Sequence, residues 1–158
     1  MAGDLIISTR SIWATVTFFG GSVNIGQFFL ASASPMHGGM ETLLDLLNDD
    51  KRHFVPFKTA DSMVFLNRES IRSVIFEAPH IKDIFLRPEN EHVYPLRVYL
   101  RQDAGEGTYN GVCFTGDLNP DYRRPTDLLN THDMFLLLFS DEQLVLINKK
   151  AISYIEIQ

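Results

Sequence analysis

An internal repeat is the feature of this 158-residue chain that most restricts its fold. The tetrapeptide Asp-Leu-Leu-Asn at positions 45–48 returns at 127–130, and Leu-Asn-Arg-Glu-Ser-Ile at 66–71 is matched by Ile-Asn-Lys-Lys-Ala-Ile at 147–152. Upstream, Gly-Gln-Phe-Phe at 26–29 lines up with Gly-Val-Cys-Phe at 111–114. Because these anchors recur in one order, the sequence predicts two tandem copies of one small unit: copy 1 over residues 1–79 and copy 2 over residues 80–158.

Each copy has the pattern of a strand-rich unit with five short strands and one short helix between the second and third. In copy 1 the strands are predicted near 14–19, 26–30, 53–57, 62–66 and 71–76. In copy 2 they are predicted near 96–101, 111–115, 134–139, 143–147 and 152–157. The helices are expected near 40–48, where leucines follow a helical stripe, and from Pro125 onward. The predicted fold class is therefore all-β with short helices.

Proline positions refine this prediction. Pro56 falls inside the third strand of copy 1, and proline cannot donate to a strand ladder, so an edge or a bulge is expected there. The stretch 78–95 contains three prolines and is expected to link the copies, with room for a short extra strand at 84–86.

The charge balance argues against a general nucleic-acid-binding protein. The formal net charge is −6, and each copy is acidic by itself. Neutralising a phosphate backbone needs clustered Lys and Arg, so DNA is not an expected partner and RNA would need a local basic patch.

Cysteine content and hydropathy limit the remaining classes. The single Cys113 excludes an intrachain disulfide and a multi-cysteine zinc site, and its apolar surroundings predict a buried, inert thiol. The first four residues include the acidic Asp4, where a secretory signal carries positive charge, and the longest purely apolar run, 134–139, is too short to cross a bilayer. We therefore expect a cytoplasmic protein with no membrane partner.

The end of each copy resembles the second sequence motif of Sm-like proteins: an apolar strand, a turn with a basic residue, and Ile or Val opening the last strand. Residues 64–71 and 145–152 both fit it. The resemblance implies two tandem five-stranded Sm-like β-barrels. It also implies a homo-oligomer, because in Sm-like rings the fourth strand of one barrel pairs with the fifth strand of the next. The chain departs from the RNA-binding members, since its Asp and Asn between the second and third strands lie in a helical insertion.

The same turns supply the candidate binding residues, Asn67 and Arg68 in copy 1 and Asn148, Lys149 and Lys150 in copy 2. The resemblance implies an RNA or anion contact at a central pore. The alternative is turn chemistry, in which Asn accepts an unusual backbone conformation and the basic residues face water. The acidic balance of the chain favours this second interpretation.

The repeated tetrapeptide offers a second set of polar residues, Asp45, Asn48, Asp127 and Asn130. They could hold a metal, but helix capping by the aspartates and helix termination by the asparagines explain them better. No HExxH or GxSxG pattern occurs, and nothing pairs a nucleophile with a base. The sequence therefore predicts a non-enzymatic interaction or assembly module without a cofactor; the alternative is an RNA-binding ring that uses the turns between strands four and five.

Overall fold

A computed structural model of the protein describes residues 9–31, 41–77, 93–105, 107–114, 124–140 and 143–158. The fold is all-β with short helices, which confirms the predicted class. The strands are β1 (Thr9–Phe18), β2 (Val23–Ala31), β3 (Phe54–Lys58), β4 (Met63–Asn67), β5 (Ile71–Glu77), β6 (Val93–Leu100), β7 (Thr108–Phe114), β8 (Phe135–Ser140), β9 (Gln143–Asn148) and β10 (Ile152–Ile157). The α-helices are α1 (Leu43–Asn48) and α2 (Pro125–Leu129), and short 3-10 turns cover Arg68–Ser70, Gln102–Ala104 and Lys149–Ala151. The extra strand predicted at 84–86 lies outside the described residues.

All ten strands form one antiparallel sheet in the order β10-β6-β7-β8-β9-β5-β1-β2-β3-β4. Each copy contributes five neighbouring strands in the same internal order: fifth, first, second, third, fourth. The registers repeat as well, since Val16 faces Val74 in copy 1 and Val98 faces Ile155 in copy 2. The sheet is open at β10 and β4, so strand pairing alone does not show the predicted closure of each copy into a barrel.

The two copies meet where β5, the last strand of copy 1, pairs with β9, the fourth strand of copy 2. This ladder runs from Ser73 opposite Ile147 to Glu77 opposite Gln143. We call this contact the internal junction. Among the described residues it leaves β4 and β10 without a partner on one side, and we call these strands the free edges of the sheet.

The hydrophobic core is divided into two clusters, one for each copy. Strand β9 belongs to both clusters, because its side chains alternate between the two faces of the sheet. Val145 and Ile147 pack into the core of copy 2, whereas Leu144 and Leu146 pack into the core of copy 1. A strand that is apolar on both faces is thereby buried on both faces.

The aspartates of the repeated tetrapeptide cap their helices. The side chain of Asp45 accepts from the backbone N–H of Thr42 at 2.9 Å, and the Thr42 hydroxyl accepts from the Asp45 N–H at 3.1 Å. In copy 2, the Asp127 carboxylate accepts from the Arg124 N–H at 3.1 Å. These bonds satisfy helix-end donors that would otherwise lack partners.

Pro56 lies in β3, an interior strand of the sheet, so the expected edge exists only locally, where β2 has no partner for Pro56, and the pairing with β4 shows no bulge. Within β3 it pairs with Phe65 of β4. The pairing of β3 with β2 consists of Phe57 with Phe28 and Lys58 with Gln27, and it ends before Pro56. The missing proline donor is therefore accommodated because the ladder on that side has already stopped.

The repeated glycines Gly26 and Gly111 lie where the third strand of each copy passes close to the second. A side chain at Gly26 would meet the carbonyl oxygen of Lys58 and the ring of Phe57. A Cβ at Gly111 would lie 2.7 Å from the carbonyl oxygen of Phe139. Close backbone approach thus explains why the repeat has glycine at both positions.

We predict that Gly26→Ala lowers the free energy of unfolding by about 1–3 kcal/mol, because the added methyl must displace backbone. Exposed Gly20 is the matched control, since a methyl group there would meet no atom within 4 Å. Gly20→Ala should change stability by less than about 0.5 kcal/mol. Urea unfolding of both variants measures the difference, and equal losses would contradict the packing argument.

Candidate functional site

Arg68 and Lys149, two of the five predicted binding residues, reach back to the helix of their own copy. Arg68 is buried, and its Nη1 donates to the carbonyl oxygen of Leu47 at 2.6 Å. Lys149 Nζ donates to the Leu128 carbonyl at 3.2 Å and to the Thr131 hydroxyl at 3.0 Å. Both cations therefore occupy the carbonyl end of a helix, where a positive charge is favourable.

Burial alters the proton affinity of two side chains near these cores. It lowers the pKa of Lys149, and the nearby carboxylate of Asp133 partly opposes that change. Burial also raises the pKa of the Cys113 thiol to about 11, against an ordinary value of 9.0. Cys113 is 1% exposed, so it carries little thiolate at neutral pH and is a poor nucleophile.

Asn67 and Asn148 occupy equivalent places in the two turns, and their side-chain oxygens accept from the backbone N–H of Glu69 and Lys150. Their surroundings differ. Asn148 is fully buried in the internal junction, where its Nδ2 donates to the Ile71 carbonyl at 2.9 Å. Asn67 ends the free edge strand β4 and is exposed. The buried asparagine therefore bonds the two copies together.

Lys150 is the basic turn residue whose side chain faces solvent. Its Nζ lies 3.9 Å from Oε1 of Glu69, across the internal junction, and both side chains are about two-thirds exposed. An exposed pair of this kind contributes at most about 1 kcal/mol. The structure thus brings Asn148 and Lys150 to the junction, keeps Arg68 and Lys149 under the helices, and leaves Asn67 at an edge.

Three apolar side chains of copy 2, which were not among the candidate binding residues, complete the core of copy 1. Phe135, Leu144 and Leu146 are 2%, 1% and 0% exposed and belong to the copy 1 cluster. The signal for them was the two apolar runs 134–139 and 144–147, which are apolar on both faces and so cannot be covered by one core alone.

Asn48, at the end of α1, also contacts copy 2, through the backbone of Phe135. Its Oδ1 accepts from the Phe135 N–H at 2.8 Å, and its Nδ2 lies 3.4 Å from the Phe135 carbonyl oxygen. As expected, α1 ends with Asn48 and Asn130 caps α2, but neither cap residue has a left-handed backbone, since φ is −72° at Asp49 and −94° at Asn130. Asn48 is therefore a side-chain clamp on the first residue of β8.

Near the free edge at β4, copy 1 exposes the counterparts of the three copy 2 side chains that complete its core; we call those three the inserted residues. By the offset of the repeat, Phe135, Leu144 and Leu146 correspond to Phe54, Met63 and Phe65. These are 59%, 51% and 69% exposed. The side chains that copy 2 buries in its neighbour therefore have apolar counterparts in copy 1 that protrude into solvent.

At the opposite edge, formed by β10, the apolar core of copy 2 is less completely buried than the core of copy 1. In copy 1, Leu46, Leu47, Val74 and Phe76 are buried beneath the inserted residues. Their counterparts Leu128, Leu129 and Ile155 are only partly buried, and Ile157 is 58% exposed. One edge of the sheet thus offers apolar side chains, and the other edge offers an incompletely covered apolar core.

Across the described ranges, no group of three His, Cys, Asp or Glu side chains is placed to hold a metal ion. No helix in that part of the chain is long and apolar enough to cross a membrane. Comparison of the chain with protein-family models, with curated proteins and with solved structures found no match in any of the three.

We predict that Arg68→Ala destabilises the protein by about 1.5–3 kcal/mol, because it removes a charge-assisted bond to a buried helix carbonyl. Lys150→Ala, in the equivalent stretch of copy 2 but exposed, should change the free energy of unfolding by no more than about 1 kcal/mol, the upper limit for its exposed ion pair. Thermal and urea unfolding measure both. Equal effects would mean that the helix contact of Arg68 contributes nothing.

RNA binding by the turns has a direct test. We expect no salt-sensitive binding of short U-rich or A-rich RNA, because among the five predicted residues only Lys150 presents an exposed cation and Glu69 lies beside it. Fluorescence anisotropy at two salt concentrations measures it. Binding that weakens in Lys150→Ala would establish the RNA-binding alternative. Lys149→Ala is unsuitable as a probe, because it also disturbs α2.

Proposed function

We propose that this protein is a non-enzymatic assembly module built from two Sm-like barrels. Separate chains associate head to tail, and β4 of one chain pairs with β10 of the next chain. The observation that carries this proposal is the internal junction. There the fourth strand of one unit already pairs with the fifth strand of the other. The free edges are again a fourth and a fifth strand, of the same two units.

The repeat gives the register of the proposed intermolecular pairing. Transferring the β5–β9 register by the repeat offset places Leu66 opposite Tyr154, Phe65 opposite Ile155 and Met63 opposite Ile157. In this register Phe65 and Met63 face the partly covered core of copy 2, as Leu146 and Leu144 face the core of copy 1. Apolar surface that is exposed on both edges is then buried on both.

The polar contacts of the junction also have counterparts at the free edges. Asn67 takes the place of Asn148, so its side chain would donate to the carbonyl of Ile152, the counterpart of Ile71. Glu69 and Lys150 correspond to each other, so a second junction brings Glu69 of one chain to Lys150 of the next. Both kinds of junction therefore pair the positively charged Lys150 with the negatively charged Glu69.

The edge strand β4 lacks the usual protection against such pairing. Its sequence, Met-Val-Phe-Leu-Asn, contains no charged residue. Exposed edge strands of monomeric proteins commonly carry charges, prolines or bulges that prevent pairing with another chain. A contact between unlike edges repeats until it closes, so a cyclic assembly follows if the rotation per chain divides the circle.

We predict that the solution mass of the wild-type protein is at least twice the single-chain mass of 18.0 kDa, and that Phe65→Asp reduces it to the single-chain mass. A carboxylate at this position would lie in an apolar core without a partner. Light scattering after size-exclusion chromatography measures both masses across a wide concentration range.

Ile25→Asp is the matched control. Ile25 is 63% exposed on β2, and its counterpart Asn110 stays exposed although the internal junction is formed. This variant should retain the wild-type mass. A wild-type chain that stays monomeric at high concentration refutes the assembly.

A further inference from the structure

The asparagine that ends the repeated Asp-Leu-Leu-Asn tetrapeptide makes a contact that strand pairing does not require. Asn48 of copy 1 lies at the end of α1, and its side chain bonds to the backbone of Phe135 in copy 2, a residue 87 positions away. Its amide thus acts on the neighbouring unit, beside the β5–β9 ladder. This contact fixes where β8 begins relative to the helix.

The residues that correspond by the repeat to Asn48 and to Phe135 are both exposed. Asn130 stands at the same place in the second tetrapeptide, at the end of α2, and its side chain is solvent-exposed. Phe54 corresponds to Phe135 and opens β3, which neighbours the free edge. No hydrogen bond of the Asn130 side chain occurs within the described part of the chain.

The backbone at Phe54 has the same setting as the backbone at Phe135. Phe54 faces Asn67 across its hairpin, as Phe135 faces Asn148. The residue before each is bonded alike: His53 accepts from the Arg68 N–H at 2.9 Å, and Met134 accepts from the Lys149 N–H at 2.8 Å. The backbone groups of Phe54 are therefore directed as those of Phe135 are.

We infer that Asn130 of one chain clamps the backbone of Phe54 in a second copy of the chain, and so determines the register of the β4–β10 pairing. This rests on the proposed assembly and adds the residue that makes it specific. Ladder bonds and apolar contacts are similar after a slip of two residues along an edge strand. A side-chain amide that meets one particular N–H is satisfied in one register alone.

Hydrogen exchange tests the clamp directly. In the assembled wild-type protein the Phe54 amide should exchange slowly, and so should the Phe135 amide, which is bonded to Asn48. In Asn130→Ala the Phe54 amide should lose its protection while the Phe135 amide keeps it. Asn130→Asp retains the acceptor oxygen and should retain the protection of Phe54.

Sedimentation measures the effect on association. Loss of one hydrogen bond should raise the dissociation constant per interface roughly 3- to 10-fold in Asn130→Ala. The matched variant Asn48→Ala removes the equivalent internal bond, so it should lower the melting temperature of the chain without raising the dissociation constant.

The possible outcomes are distinct. If the wild type assembles and Phe65→Asp dissociates it, but Asn130→Ala changes neither the dissociation constant nor the exchange of the Phe54 amide, the clamp is refuted and the assembly stands. If the wild type is monomeric at every concentration, both are refuted. Selective loss of Phe54 protection in Asn130→Ala supports the clamp.

Discussion

The ladder between β5 and β9 is the contact on which the rest of the structure depends. It joins the two copies into one sheet, and it carries Leu144 and Leu146 into the core of copy 1. Burying a large apolar side chain stabilises a fold by roughly 1.5–3 kcal/mol. A unit of this size has a marginal core of its own, so copy 1 depends on its neighbour for a substantial share of its stability.

This dependence is asymmetric: copy 2 contributes fully buried side chains to the core of copy 1, whereas Phe19 and Ile75 of copy 1 pack only partly buried against the core of copy 2. Copy 1 receives side chains through its fifth strand, and copy 2 donates them through its fourth. A chain of two units can satisfy one such contact internally and must leave one donor edge and one acceptor edge. The exposed rings of Phe54 and Phe65 and the partly covered leucines of α2 are the two halves of that unsatisfied contact.

Much of the fold was predictable from the sequence, because the repeat and the short apolar strands reflect local physics. The predicted bounds of β10 agree with the structure, those of β9 differ by one residue at its end, and β4 is shifted by one residue at both ends. The second strand of copy 2 was predicted to start near residue 111, but β7 begins at Thr108. The glycines and the asparagine just before residue 111 had indicated a loop there. Tyr109 lies in this strand and hydrogen-bonds Ser73 of copy 1, a tertiary contact without a local signal.

The candidate site was less predictable for a related reason. A basic residue in a turn has the same local sequence whether it faces water or reaches a helix end. Arg68 and Lys149 do the latter, and only the packing of α1 and α2 above the turns shows it. Likewise, Asn48 was interpreted as a helix terminator because its partner, Phe135, is distant in sequence.

The copies have also diverged in a way that distinguishes the two kinds of junction. In the internal junction a small residue of β5, Ser73, meets a large one, Tyr109, with their hydroxyl oxygens 2.9 Å apart. The registers make Tyr154 the counterpart of Ser73 and Asn24 the counterpart of Tyr109. In the proposed intermolecular junction the larger side chain is therefore on the fifth strand and the smaller on the second. The wrong pairing would place β4 of a second chain against β5 of the first. Asn24 of the second chain would then lie near Ser73 of the first, where the internal junction has Tyr109. The space of the tyrosine ring would stay unfilled, and unfilled space in a core is costly. In the proposed assembly, this exchange of large and small residues would direct each fourth strand to its own partner.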